Sequence, residues 1–257
     1  MKILFLGDIV GEPGRSAVIR RLPQLIADRA ADFVIANAEN AANGAGITSK
    51  IALKLLAAGV DVLTTGNHVW RQREVFPFLS EDDRIVRPAN FPANSPGRGL
   101  TVRRSRDGGE VAVVNLMGAV FMESGISPFR IVDRLVEEAG GLAETIVVDL
   151  HAEATSEKVA MARHLDGRVT AVVGTHTHVQ TADERVTGRG TAAITDVGMC
   201  GPHDSVIGVR ADIILKRFLT EMPVQFEVAD GDVRIDGVVV TSAAGHATAI
   251  ERFEEAC

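Results

Sequence analysis

Tyrosine is absent, tryptophan occurs once, and aromatic residues make up only 4% of the 257 positions. A platform that stacks the bases of a nucleic-acid strand is therefore not expected. Positive charge is also short, since 27 Lys and Arg stand against 34 Asp and Glu for a formal net charge of -7. Such a chain has no basic excess to displace counterions along a polynucleotide, so a stable nucleic-acid complex is not expected. A small anionic substrate is compatible with this balance if metal supplies the positive charge. The two cysteines, Cys200 and Cys257, are too few and too far apart for a disulfide framework and form no Cys-x-x-Cys pair, which fits a reducing compartment. The opening apolar run, Ile3 to Leu6, is too short for a signal-peptide core or a membrane span. A cytoplasmic location without membrane contact is expected. There is no P-loop, no Gly-x-Ser-x-Gly and no His-Glu-x-x-His, so nucleotide-triphosphatase, serine-hydrolase and zincin chemistry have no motif support. Gly44-x-Gly46 lacks the third glycine of a dinucleotide fingerprint and is only a loop.

What is present is ordinary globular material, 46% apolar and 24% charged, with no repeat, low-complexity tract or linker. A single domain over residues 1–257 is expected. Ile3–Leu6, Phe33–Ala36 and Val60–Leu63 are short apolar runs with the look of buried strands, separated by amphipathic stretches over Arg15–Ala30 and Ile51–Ala58, the second with Thr48 as a plausible N-cap. This alternation predicts βαβ units and a largely parallel sheet. Val69–Asp83 is ambiguous, and Arg84–Arg87 has the look of a further short strand before the proline-rich loop of Pro88, Pro92 and Pro96. Leu100–Arg104 and Glu110–Asn115 flank the turn Arg106-Asp107-Gly108-Gly109, predicting a hairpin and an antiparallel second half of the sheet system. Helices over about Pro128–Ala139 and Ser156–Leu165, strands over Thr145–Leu150 and Val169–Val173, and short tail strands around Asp230-Gly231 and Ala244-Gly245 complete a mixed α/β sandwich.

Five of the strands end in chemistry-bearing residues: Asp8, Glu39, Asn67-His68, His151, and His176-x-His178. Each alone has an ordinary explanation. Asp turns chains, Asn-His suits a helix N-cap, and an isolated histidine is usually structural. Together they place carboxylate, carboxamide and imidazole groups at the carboxyl ends of strands, where open α/β sheets form ligand crevices. Hard oxygens mixed with imidazoles, and no cysteine cluster, suit a first-row metal such as iron or manganese better than structural zinc. The donors are too many for one ion that must keep open positions. Glu39 is able to bridge two ions about 3.5–4 Å apart, so a dinuclear site is expected.

Gly7-Asp8, Gly66-Asn67-His68 and Gly174-Thr175-His176-Thr177-His178 resemble the motifs of calcineurin-like metallophosphoesterases. The resemblance narrows to the bacterial YmdB-type phosphodiesterases through Gly7-Asp8-Ile9-Val10-Gly11, Asn37-Ala38-Glu39-Asn40, the stretch His151–Lys158, and Thr195–Pro202. It spans nearly the whole chain. It implies an α/β fold, a metallophosphoesterase-like β-sandwich of mixed sheets flanked by helices in four αββα layers, and hydrolysis of 2′,3′-cyclic nucleotides, a small-molecule substrate. The chain departs from the wider superfamily where Asp8-Ile9-Val10 lacks the histidine of Asp-x-His, and where Glu39 replaces a bridging Asp with Asn40 beside it. Both departures resemble the YmdB-type pattern.

The resemblance further implies that Asp8, Glu39, Asn40 and His178 hold one ion and Glu39, Asn67, His151 and His176 the other. A hydroxide shared between the ions would be the nucleophile, and His68 the general acid for the departing ribose oxygen. The alternative for His68 is orientation of Asn67. Asp149 and Glu153 are candidates to accept the second N–H of His151, with a capping role the equal alternative for both. Asp196, His203 and Asp204 either approach substrate or serve as turn residues. Cys200 and Trp70 are expected to pack, and His164 and His246 show no partner. No residue is assigned to the nucleotide base, and a homo-oligomer is compatible with the sequence. A regulatory or RNA-associated module that binds metal with little turnover is the alternative from another class. The amidohydrolases also use His-x-His, but after the first strand of a barrel, and here that strand ends in Asp8.

Overall fold

A computed structural model of the chain describes residues 1–122 and 126–257. The first stretch comprises β1 (Lys2–Leu6), the two-residue β2 (Asp8–Ile9), α1 (Gly11–Arg29), β3 (Phe33–Asn37), α2 (Ser49–Ala57), β4 (Val62–Thr64) and α3 (Val75–Glu81). β1 pairs with β3 and β3 with β4, both in parallel, as the strand-helix alternation predicts. Thr48 caps α2, its hydroxyl accepting the Ile51 N–H at 3.3 Å. α1 starts four residues earlier than Arg15 because Pro13 sits in its first turn, where a missing N–H costs nothing. The strand expected over Arg84–Arg87 is reduced to one parallel bridge from Ile85 to Leu63. The buried Arg87 guanidinium instead binds the carbonyls of Pro88, Ser95, Pro96 and Gly97, satisfying a loop whose prolines cannot build a ladder.

The second stretch comprises β5 (Leu100–Arg104), β6 (Glu110–Met117), α4 (Val132–Gly140), β7 (Thr145–His151), α5 (Thr155–His164), β8 (Ala171–Thr175), β9 (Arg185–Val186) and β10 (Ala192–Ile194). The β5–β6 hairpin forms as predicted. The extrapolation from it to an antiparallel second half is wrong: β6 with β7, β7 with β8, and β8 with β10 are all parallel. α4 and α5 each separate two strands, and a helical crossover returns the chain in the same direction. Only the edges β5 and β9 run against their neighbours.

The tail comprises β11 (Met199–Pro202), α6 (Ala211–Thr220), β12 (Val233–Ala243) and β13 (His246–Ala256). It returns to the first sheet, whose order is β2-β11-β12-β1-β3-β4 with β13 paired to β12. β12 and β13 are 11 residues each, longer than the short strands expected, and turn through Ala244 and Gly245 at φ 48° and 77°. α6 has no counterpart in the sequence-based expectation.

The two sheets bury Phe5, Phe33 and Ile35 of one against Val113, Val147 and Val173 of the other. α1 and α2 cover the outer face of the first sheet, and α4 and α5 that of the second. The result is the four-layer αββα arrangement, with the carboxyl ends of β1, β3, β4, β7 and β8 meeting at one edge. No helix among the described residues is long and apolar enough to cross a membrane.

Candidate metal centre

At that edge both sheets contribute, the first with five residues and the second with three. β1 and β2 deliver Asp8, β3 leads into Glu39 and Asn40, and β4 leads into Asn67 and His68. From the second sheet, β7 ends at His151, and β8 leads into His176 and His178. Asp8, Glu39, Asn40 and His151 are buried, while His68, His176 and His178 are partly exposed. All eight residues singled out from the sequence thus come together. Gly66 makes the approach possible: a side chain there would collide with the His151 ring and the Glu39 carboxylate.

A relay of hydrogen bonds fixes the protonation of His151. Thr175 Oγ1 donates to Asp149 Oδ1 at 2.8 Å and so accepts from His151 Nδ1 at 2.9 Å. Asp149 also accepts from Thr64 Oγ1 at 2.5 Å and Asn37 Nδ2 at 3.2 Å. With Nδ1 committed as donor to Thr175, His151 directs Nε2 at Glu39 Oε1 (3.1 Å), Asn67 Oδ1 (3.1 Å) and His176 Nδ1 (3.0 Å). Four atoms able to ligate a cation thus converge on one point, where the metal-free protein has the one proton of His151 Nε2 to share among them.

Beside it, Asp8 Oδ1 is buried without a partner among the described residues. It lies 3.9 Å from His178 Nε2, whose ring donates from Nδ1 to the Ile207 carbonyl at 2.8 Å and so also presents a lone pair. Asn40 Nδ2 reaches His178 Nε2 at 3.0 Å and Glu39 Oε1 at 3.2 Å. Glu39 therefore faces both groups. The donor set and the orphaned Asp8 oxygen fit a pair of cations.

The electrostatics agree. Burial, opposed by His178 and His151, pushes Asp8 up to about 6. Burial alone would raise Glu39 too, but His151 and His68 hold it well below the usual carboxylate range. Burial would lower His151, yet Glu39, Asp8 and Asp149 outweigh it and push it up to about 9. Burial and the neighbouring charge on His151 push His176 down to about 3.

His68 Nδ1 donates to Asn40 Oδ1 at 2.7 Å, with Glu39 Oε1 at 3.4 Å. It thus contacts Asn40 and not Asn67, against the orienting alternative considered for it. Glu153 pairs with His176 Nε2 at 3.3 Å and not with His151, whose N–H reaches Asp149 only through Thr175. Asn37, Thr64 and Thr175 were not singled out beforehand, although Asn37 and Thr175 lie inside the motifs that mark the site.

His176 and His178 adopt φ of 103° and 65°, a region costly for residues with a side chain. Asp196 holds the bend, accepting from Thr177 N–H at 3.0 Å and Thr177 Oγ1 at 2.7 Å while paired with buried Lys158 at 2.8 Å. Asp196 is accordingly a support under the loop. His203 bonds Asp236 at 3.2 Å, and Asp204 is exposed on its turn. Trp70 packs edge-on against Phe76 and Phe91, and Cys200 is buried in the core, as expected. His164, expected to lack a partner, bonds Asp133 at 2.8 Å.

Two stacked mixed sheets between helical layers, with these donors at the carboxyl strand ends, are the fold of the metallophosphoesterases. Residues 4–253 match the model of the family described as YmdB-like protein, and the chain belongs to that family. It is 49% identical over 240 residues to the 2′,3′-cyclic-nucleotide 2′-phosphodiesterase of Bacillus subtilis, covering 93% of this chain and 90% of that protein. Its fold superposes on the crystal structure of a hypothetical protein from Thermus thermophilus with a TM-score of 0.94 at 43% identity, covering 100% and 99% of the two chains. It also superposes on a Mycoplasma pneumoniae structure described as a novel phosphatase, with a TM-score of 0.92 at 34% identity, covering 100% and 93%.

Proposed function

We propose that the protein is a dinuclear-metal phosphodiesterase that hydrolyses 2′,3′-cyclic nucleotides. The observation that carries this is the convergence of ligand atoms from Glu39, Asn67, His176 and His151 on one point, beside a buried Asp8 oxygen without a partner among the described residues. The name of the Bacillus subtilis relative supports the substrate. Asp8, Glu39, Asn40 and His178 would hold one ion, and Glu39, Asn67, His151 and His176 the other, with Glu39 shared. Mixed oxygen and imidazole donors suit iron or manganese. When bound, such ions draw in the phosphate anion despite the acidic chain and bring the pKa of water towards neutrality.

The chain's own residues supply the rest. The Asp149–Thr175 relay keeps a proton on His151 Nδ1 and so makes Nε2 the nitrogen that binds once its own proton has left. Asn40 holds His68 through Nδ1, leaving Nε2 on the side of the open cleft, where it can protonate the departing ribose oxygen. One P–O bond of the cyclic diester breaks, water supplies the new P–O bond, and the product is a nucleoside monophosphate. Metal-free protein reconstituted with iron or manganese should open 2′,3′-cyclic nucleotides and leave 3′,5′-cyclic nucleotides largely intact. Equal turnover of simple monoesters, identified by product analysis, would refute the diesterase assignment.

A further inference from the structure

The reaction centre opens into a cleft of about 310 Å³ with two unlike ends. Glu39, Asn40, His68, His176 and His178 line one, and the other is a wall of Ile207, Val209, Phe226 and Val228. We infer that this wall is the subsite for the nucleobase, with Phe226 as its stacking surface, an inference that rests on the proposed hydrolysis of cyclic nucleotides. A nucleoside cyclic phosphate has the matching layout, an anionic end and a flat base with apolar faces.

The wall belongs to the segment between β11 and β12, and it is built onto the centre. Ile207 is β-branched yet held at φ 48°, an uncommon conformation for such a residue. That bend turns its carbonyl onto His178 Nδ1 while leaving its side chain half exposed at the cleft. Phe226 is 49% exposed, the state of an aromatic with a face to offer. Arg217 lies 5.1 Å from its ring centre and reinforces the ring's position.

The side chains of the wall also lack the means to read base edges. Its side chains carry no hydrogen-bonding group. Several backbone groups along it are already engaged: Gly208 N–H with Ser205 Oγ, Val209 N–H with the Val206 carbonyl, the Gly208 carbonyl with Ala229 N–H, and the Ile207 carbonyl with His178. Recognition by stacking alone tolerates any base. A neighbouring cleft lined by Trp70, Arg71, Phe91 and Phe121 also has aromatic groups. It does not include His68, however, and a ribose oxygen leaving towards His68 keeps the attached sugar and base on the Phe226 side.

The test compares wild type, Phe226→Ala and Phe121→Ala, all reconstituted with metal. One readout is calorimetric binding of adenosine 3′-monophosphate against ribose 3-phosphate. The other is steady-state hydrolysis of the four nucleoside 2′,3′-cyclic phosphates against ribose 2′,3′-cyclic phosphate. Phe226→Ala should weaken nucleotide binding and raise KM roughly tenfold, the scale of one lost base-aromatic stack, with kcat and both base-free compounds unaffected. Phe121→Ala should change neither, and the wild type should treat the four bases alike to within about fivefold in kcat/KM, as stacking without edge readout requires. The inference is overturned if Phe226→Ala affects base-bearing and base-free compounds equally or not at all, or if Phe121→Ala causes the loss. Base-dependent binding lost in Phe226→Ala, with no hydrolysis by the wild type, would uphold the subsite and refute the proposed reaction.

Discussion

The imidazoles of His151 and His176 stand edge to face with ring centres 4.7 Å apart, and the near nitrogens, Nε2 and Nδ1, are separated by 3.0 Å. Two such nitrogens stay that close only with a proton or a cation between them. The opposite shifts of the two rings, His151 up to about 9 and His176 down to about 3, place that proton on His151 in the metal-free protein.

Metal uptake should therefore release protons. A group whose pKa is raised holds its proton until the pH passes the raised value, so at about pH 7.5 His151 must give one up to bind through Nε2. Calorimetry in buffers of different ionisation enthalpy should report at least about one proton released per protein, that of His151, with any from metal-bound water in addition. Apparent metal affinity should climb as pH rises towards about 9. Below about pH 6, protonation of Asp8, itself raised to about 6, should weaken binding further. Affinity independent of pH between about 6 and 8 would contradict a ligand role for His151.

Replacing His68 with alanine removes a ring that touches Asn40 and Glu39 but leaves the three acceptors around His151 Nε2 in place. Metal content should be retained while hydrolysis falls by about 10²–10⁴-fold, the usual worth of a general acid. Turnover unchanged at saturating substrate would exclude the acid role.

Thr175→Val breaks the link between Asp149 and His151 without altering the side chain's shape. Metal affinity should drop by roughly 10–100-fold, measured by competition with a chelator, and Thr175→Ser should restore it. If the valine variant binds metal as the wild type does, the tautomer of His151 is set by something else.

Lys158 and Asp196 form a buried pair at 2.8 Å, 4% and 1% exposed. Lys158→Met leaves the Asp196 carboxylate uncompensated and should cost roughly 3–5 kcal/mol in denaturant unfolding. The His176–His178 loop rests on Asp196, so any folded fraction should also bind metal less tightly.

The polar residues at the carboxyl ends of β1, β3, β4, β7 and β8 could be found from the chain alone, because a short apolar run followed within a few residues by Asp, Glu, Asn or His is a local pattern. Thr48 as a cap and Arg106-Asp107-Gly108-Gly109 as a hairpin turn were legible for the same reason. The parallel course of β6, β7, β8 and β10 was not, since direction depends on how α4 and α5 carry the chain back. Nor was α6, which buries Ile214 and leaves Leu215, Phe218 and Leu219 exposed.

Residue types and their place at strand ends are properties of neighbours in the chain, so the amino-acid sequence by itself determined which groups are available for binding and chemistry. Which nitrogen of His151 carries a proton, which oxygen of Asp8 is left bare, and which side chain His68 leans on were decided by folding alone. Each depends on partners far along the chain, such as Asn37 with Asp149, Asn67 with His151 and His178 with Ile207. Hydrogen bonds act over about 3 Å, and only tertiary packing brings such distant residues within that reach.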